Sequence, residues 1–160
     1  RMTNAIIDIR PGEMNLEQFG EAKYLVSENC KKERPEDANR MLERMITECR
    51  LQPRKLSLYR SLFNIVISAW ANAKKSEQAE QVFAQMLHCH AELPNVCPAP
   101  DRYSYNALLK AWASSRSSIA IERVMEILNE MEESDSVQPD AYTYNIVMGA
   151  YAARVGDYGA

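Results

Sequence analysis

The sequence predicts an all-α fold, a solenoid of stacked antiparallel helical hairpins, on three observations. Only 5 Gly and 7 Pro interrupt a chain of 160 residues rich in Ala, Leu, Met, Glu and Gln, side chains that lose little freedom in a helix. Apolar residues recur at i, i+3, i+4 and i+7, as in Phe63, Val66, Ile67 and Trp70 or Ala79, Val82, Phe83 and Met86, the signature of one buried helical stripe. Finally, one pattern, aromatic-Asn-x-apolar-apolar-x-Ala-aromatic-Ala, starts at Phe63, Tyr105 and Tyr144. Its Asn residues, Asn64, Asn106 and Asn145, are spaced by 42 and then 39 residues, the period of a helical-hairpin array.

Each element follows in order. Residues 15–53 form a degenerate unit: a first helix over 15–31, a turn at Glu33-Arg34-Pro35, and a second helix around Ala38–Met45. Pro35 suits a first helical position, with Glu36 and Asp37 behind it to meet the helix dipole. Residues 57–100 form a complete unit, with Leu62–Ala71 as first helix, a Lys74-Lys75-Ser76 turn ending in a capping Ser, and Ala79–Met86 as second helix. Leu87–Ala99 then reads as a long linker carrying Pro94 and Pro98, with Pro100 just beyond it. Residues 101–140 repeat the plan through Ser104–Ala113, a serine-rich turn at 115–118 and Val124–Met131, and residues 141–160 begin it once more. Trp70, Trp112 and Tyr151 fall on the buried stripes. Residues 1–14 belong to no unit. A hairpin cannot bury its stripe alone, so neighbours stack and offer an extended concave surface for binding.

Composition narrows the function. The longest apolar stretch, Leu62–Ala71, is broken by Asn64 and Ser68 and is far short of the roughly 20 residues of a membrane span. Cys30, Cys49, Cys89 and Cys97 have no regular spacing, and a chain with this much apolar content needs no disulfide staple, so reduced thiols are expected. His88-Cys89-His90 with Cys97 matches no zinc template, so no metal or cofactor is expected. With no phosphate loop and no nucleophile motif, neither is catalysis. Net charge is −3 with a pI near 5.5, the wrong sign for coating nucleic acid by charge alone. Residues 101–140 are more acidic still, with Arg102, Lys110, Arg116 and Arg123 against eight acids. Phosphate tolerates that segment only if its acids lie on outer helices.

The strings Pro100-Asp101-Arg102-Tyr103-Ser104-Tyr105-Asn106 and Pro139-Asp140-Ala141-Tyr142-Thr143-Tyr144-Asn145 resemble the pentatricopeptide-repeat family, whose first helix typically opens Val-Thr-Tyr-Asn and whose unit ends Lys-Pro-Asp. The resemblance covers residues 54–153 well. It reaches residues 15–50 only through the second helix, because Ala22-Lys23 stands where aromatic-Asn belongs. The usual unit is about 35 residues, so these are lengthened. The family implies a right-handed α-α superhelix that binds single-stranded RNA in a mitochondrion or chloroplast, in transcript processing, stability, editing or translation.

Carried over residue by residue, the resemblance pairs Asn64 with Asp101 and Asn106 with Asp140 as base readers selecting pyrimidines, uracil by preference, while Asn145 lacks its Asp. A carboxamide offers both donor and acceptor to the edge of an unstacked base. Tyr103 and Tyr142 stand at the base-bracketing position and stack on base faces, and Lys74 and Lys110 approach phosphate. Lys23 with Tyr59 forms no recognisable pair. Each residue also has a plainer reading: Asn satisfies a local backbone group near a helix start, Asp caps the helix it precedes, and Tyr covers a hairpin interface. A protein-interaction scaffold using the same concave groove is the alternative function, favoured by the acidic charge.

Overall fold

The computed structural model describes residues 2–158, and side chains across 5–156. Among the described residues there are eight α-helices and no strand: α1 Met2–Ile7, α2 Leu16–Lys31, α3 Pro35–Leu51, α4 Arg60–Asn72, α5 Ser76–Glu92, α6 Arg102–Ala113, α7 Ala120–Glu133 and α8 Ala141–Tyr158. The all-α solenoid is therefore present. No helix is long and apolar enough to cross a membrane.

Helices α2/α3, α4/α5 and α6/α7 are hairpins, and α2, α4, α6 and α8 stack side by side in one layer. The backbones of those first helices approach closely, whereas α3, α5 and α7 of the second layer are bridged by long side chains. Arg50 Nε meets Glu92 Oε2 at 3.0 Å, Gln85 Nε2 meets Glu43 Oε1 at 3.2 Å, and Arg123 clamps Glu80. A stack tight on one layer and splayed on the other curves, with first helices lining its concave side. The core runs unbroken between the layers through Met41, Phe63, Met86, Leu109 and Met131, all fully buried. Truncating a buried aromatic such as Phe63 to Ala typically costs about 3–5 kcal/mol.

Helix ends follow local chemistry, with some departures. Asn15 caps α2 through a reciprocal box with Gln18, and Pro35 sits in the first turn of α3. Ser76 does not cap α5. Lys75 occupies that position without a side-chain bond, and Ser76 is buried, with its hydroxyl donating to Ser115 Oγ at 3.2 Å. Glu33 and Lys74, in the first two hairpin turns, adopt left-handed backbone with φ of 55° and 60°.

Three further sequence expectations are corrected. His88, Cys89 and His90 lie not in a linker but in the last turns of α5, because helical periodicity continues to Glu92. Cys89 is disulfide-bonded to Cys97 across Cα atoms 5.7 Å apart, leaving Cys30 and Cys49 as thiols. Sequence spacing does not reveal that α5 ends where the following turn folds Cys97 back onto it. Tyr151 is 43% exposed rather than core, since no helix packs beyond it on that face of α8 among the described residues. In the segment before residue 15, left unplaced by the sequence, Gly12 docks on α3, its amide donating to Glu48 Oε1 at 2.9 Å. That carboxylate, wholly buried, also takes Arg44 at 2.9 Å and Gln52 Nε2 at 3.0 Å. Gly12 makes the turn with φ of 87°, a conformation L side chains rarely adopt.

Candidate nucleic-acid interface

At the start of α6, Asp101 Oδ1 accepts from the Ser104 amide at 3.0 Å while the Asp101 amide donates to Ser104 Oγ at 3.1 Å, a reciprocal cap. Ser104 Oγ also reaches back across the hairpin stack, donating to Asn64 Oδ1 on α4 at 2.6 Å, and Asn64 Nδ2 lies 3.5 Å from Asp101 Oδ1. One repeat later the arrangement recurs: the Thr143 amide donates to Asp140 Oδ1 at 2.9 Å, and Thr143 Oγ1 to Asn106 Oδ1 on α6 at 2.8 Å. The sequence-paired residues Asn64 with Asp101 and Asn106 with Asp140 are thus neighbours across the two junctions. Ser104 and Thr143, wholly buried, join them. Sequence reasoning assigned these hydroxyls no role, although both sit two residues before the repeated Asn.

Each Asp also holds a cation from the preceding unit. Arg60 Nη1 is 3.6 Å from Asp101 Oδ2, and Arg102 Nε is 3.3 Å from Asp140 Oδ2. The Thr143 amide and hydroxyl, with Arg102, hold the Asp140 carboxyl below the ordinary aspartate range. These two arginines share the 42-residue period of the Asn pair, a signal that was available in the sequence. Lys23 and Tyr59, unrecognisable as a pair, nevertheless meet at the corresponding first junction, with Lys23 Nζ 4.0 Å from the Tyr59 ring centroid.

The junctions border one groove of about 710 Å³ on the concave layer. Asn64, Asn106, Tyr103, Tyr142 and Lys110 all line it, joined by Lys31 of α2, which sequence reasoning missed because its unit lacks the Asn pattern. Tyr103 is 71% exposed and Tyr142 54%, so both rings are accessible. Cys30 also lines the groove, its thiol pushed up to about 11 by burial. Two lysines and no carboxylate face this space. Five of the eight acids of residues 101–140, Glu122, Glu126, Glu130, Glu132 and Glu133, belong to α7 of the outer layer, while Asp101 and Asp140 at the junctions are each paired with an arginine. Asn145 is exposed on α8, and Lys74 lies outside the groove, at the turn after α4. Among the described residues no cluster of metal-ligating side chains occurs.

A family model described as the PPR, or pentatricopeptide, repeat matches residues 24–49 and 61–90, and one described as the PPR repeat family matches residues 100–153. The chain belongs to the pentatricopeptide-repeat family. It is 34% identical over 86 residues to a chloroplastic pentatricopeptide repeat-containing protein of Arabidopsis thaliana, covering 54% of this chain and 10% of that protein. A second pentatricopeptide repeat-containing protein of the same plant is 30% identical over 94 residues, covering 59% of this chain and 15% of the relative. Pentatricopeptide-repeat proteins are generally RNA-binding, non-enzymatic and commonly organellar. The chain therefore represents a small part of the length of its relatives.

Proposed function

We propose that this chain is a sequence-selective binder of single-stranded RNA, with repeats over 57–100, 101–140 and 141–160 preceded by a degenerate unit over 15–53. The carrying observation is the recurrence of one hydrogen-bonded cluster, Asn64-Ser104-Asp101 and Asn106-Thr143-Asp140, beside a groove that holds exposed tyrosines and no carboxylate. Because each Asn Oδ1 accepts from a buried hydroxyl, Nδ2 supplies the donor for a ligand, through the N–H that at Asn64 is not directed at Asp101. A donor at that position suits the carbonyl acceptors of a pyrimidine edge, uracil first. Tyr103 and Tyr142 stack on the base faces, and Lys110 and Lys31 meet phosphate. Its organellar work is transcript processing, stability, editing or translation, and the chloroplastic relative favours the chloroplast over the mitochondrion.

Fluorescence anisotropy against short U-rich and A-rich RNAs tests this. We expect tighter binding to U-rich RNA, weakened roughly tenfold, about 1.4 kcal/mol, by Asn106→Ala, while A-rich binding changes little. Equal loss for both RNAs would remove the base-reading role. Failure to bind either would move the groove to a peptide ligand.

A further inference from the structure

Lys74, expected to approach phosphate in the groove, points elsewhere. Its turn residue lines a separate cleft of about 810 Å³ at the hairpin-turn end of α6 and α8, together with Ser114, Ser115, Arg116, Ser118 and Arg154. Three cations from three different segments face this cleft, and no carboxylate does. None of the three takes part in an ion pair among the described residues. At the first hairpin turn, by contrast, Lys31 and Lys32 both meet Glu28, and the neighbouring cleft between α2 and α4 sets Glu33 beside Lys31. The cleft thus gathers three cations and no carboxylate, on a chain whose net charge is −3.

The cleft is also held in shape. Arg154 donates from Nη2 to the Ser117 carbonyl and lies 3.4 Å from the Ser118 carbonyl through Nη1. Neutral acceptors fix the guanidinium while leaving its charge uncompensated. Ser115 Oγ accepts from the Ser117 amide at 3.2 Å and from Ser76 on the adjacent hairpin at 3.2 Å, which fixes the serine turn. Guanidinium, ammonium and hydroxyl donors around one space suit a multi-oxygen anion better than a single carboxylate.

We propose that this cleft binds a phosphate group, and that its source is the RNA backbone as the strand leaves the concave groove. Lys110 of the groove lies one helical turn before Ser114 of the cleft, about 6 Å along the axis, so the two cationic surfaces adjoin. The site itself stands on the cleft alone; only the source rests on the RNA reading.

The test is Lys74→Gln combined with Arg116→Gln, both exposed positions, with Arg154 kept because it pins the turn. Two measurements are made on the full chain: anisotropy of a U-rich RNA across a salt series, and the ³¹P NMR linewidth of inorganic phosphate. We expect the double variant to bind U-rich and A-rich RNA more weakly by the same factor. Its log K against log salt slope should be smaller by about 1.4, roughly 0.7 for each lost phosphate contact on a single strand. An unchanged slope, with phosphate line broadening present in the parent chain and lost in the variant, supports the site and assigns it to free phosphate instead. Broadening lost in the variant, from a chain that binds no RNA, likewise supports the site while overturning the RNA reading. An unchanged slope with no variant-sensitive broadening overturns the site, whether or not the groove binds RNA.

Discussion

Thr143 and Ser104 each divide one hydroxyl proton between an Asn carbonyl on the preceding first helix and the Asp that caps their own. At this scale stability and recognition share the same atoms, since the bond that orients Asn106 also closes a buried junction. Replacing Thr143 by Val keeps the shape and leaves the Asn106 carbonyl and the Asp140 amide without that partner. We expect a loss of about 1–3 kcal/mol in chemical denaturation, with Thr143→Ser close to the parent. A pH arm separates the cap from simple packing. The Asp140 carboxyl is depressed in the folded chain, so its contribution is present above the unfolded aspartate value. It is lost as pH falls through the folded one. Thr143→Val keeps the Thr143 amide bond and removes only the hydroxyl, so it should show a somewhat shallower acid-side decline, and an unchanged decline would exclude the hydroxyl as a cause of the depressed carboxyl.

At the scale of the element, the hairpin turns carry the clearest strain. Lys74 has φ of 60°, in the left-handed region where an L side chain meets its own backbone and a β-branched one meets it most. Lys74→Val should lower the thermal midpoint, at a cost of about 1–2 kcal/mol, whereas Lys74→Gly should leave it unchanged or raise it. A Val variant as stable as the parent would mean the turn relaxes elsewhere. Such turns also mark where sequence reasoning reached its limit. Polar Lys74-Lys75-Ser76 announced a turn, because apolar periodicity stops there, but not that Lys74 faces a second cleft or that Ser76 turns inward. The helices and the Asn-Asp neighbours were legible because periodicity and register are properties of the chain itself. The Ser104 and Thr143 bridges, the Cys89–Cys97 link and the docking of Gly12 on Glu48 depend on which segments meet in space. Spacing alone does not encode those meetings. Lys23 with Tyr59 shows the same boundary, since the register places them together while their chemistry differs from that of the later pairs.

For the whole molecule, stacking makes each hairpin's stability depend on its neighbours, and the consequence is a gradient. Helix α4 packs against α2, α3, α5 and α6, whereas α8 packs mainly against α6 and α7 among the described helices. Met148 and Val155 of α8 are 60% and 71% exposed, and Tyr151 is also uncovered. In a quasi-one-dimensional array, unfolding starts where fewest interfaces hold an element. Native-state hydrogen exchange should therefore find the amides of α8 exchanging first, those of α6 and α7 next, and those of α4 and α5 last. The buried Glu48 network should keep α3 from fraying early despite its place near the other end. The gradient bears on binding as well, because Asn106 takes its orientation from Thr143 on the least protected helix. RNA held across that junction should slow exchange most in α8 if the groove closes over the strand there. Uniform protection from α4 to α8 without ligand would mean that the array unfolds as a single unit, and the second junction would then be as rigid as the first.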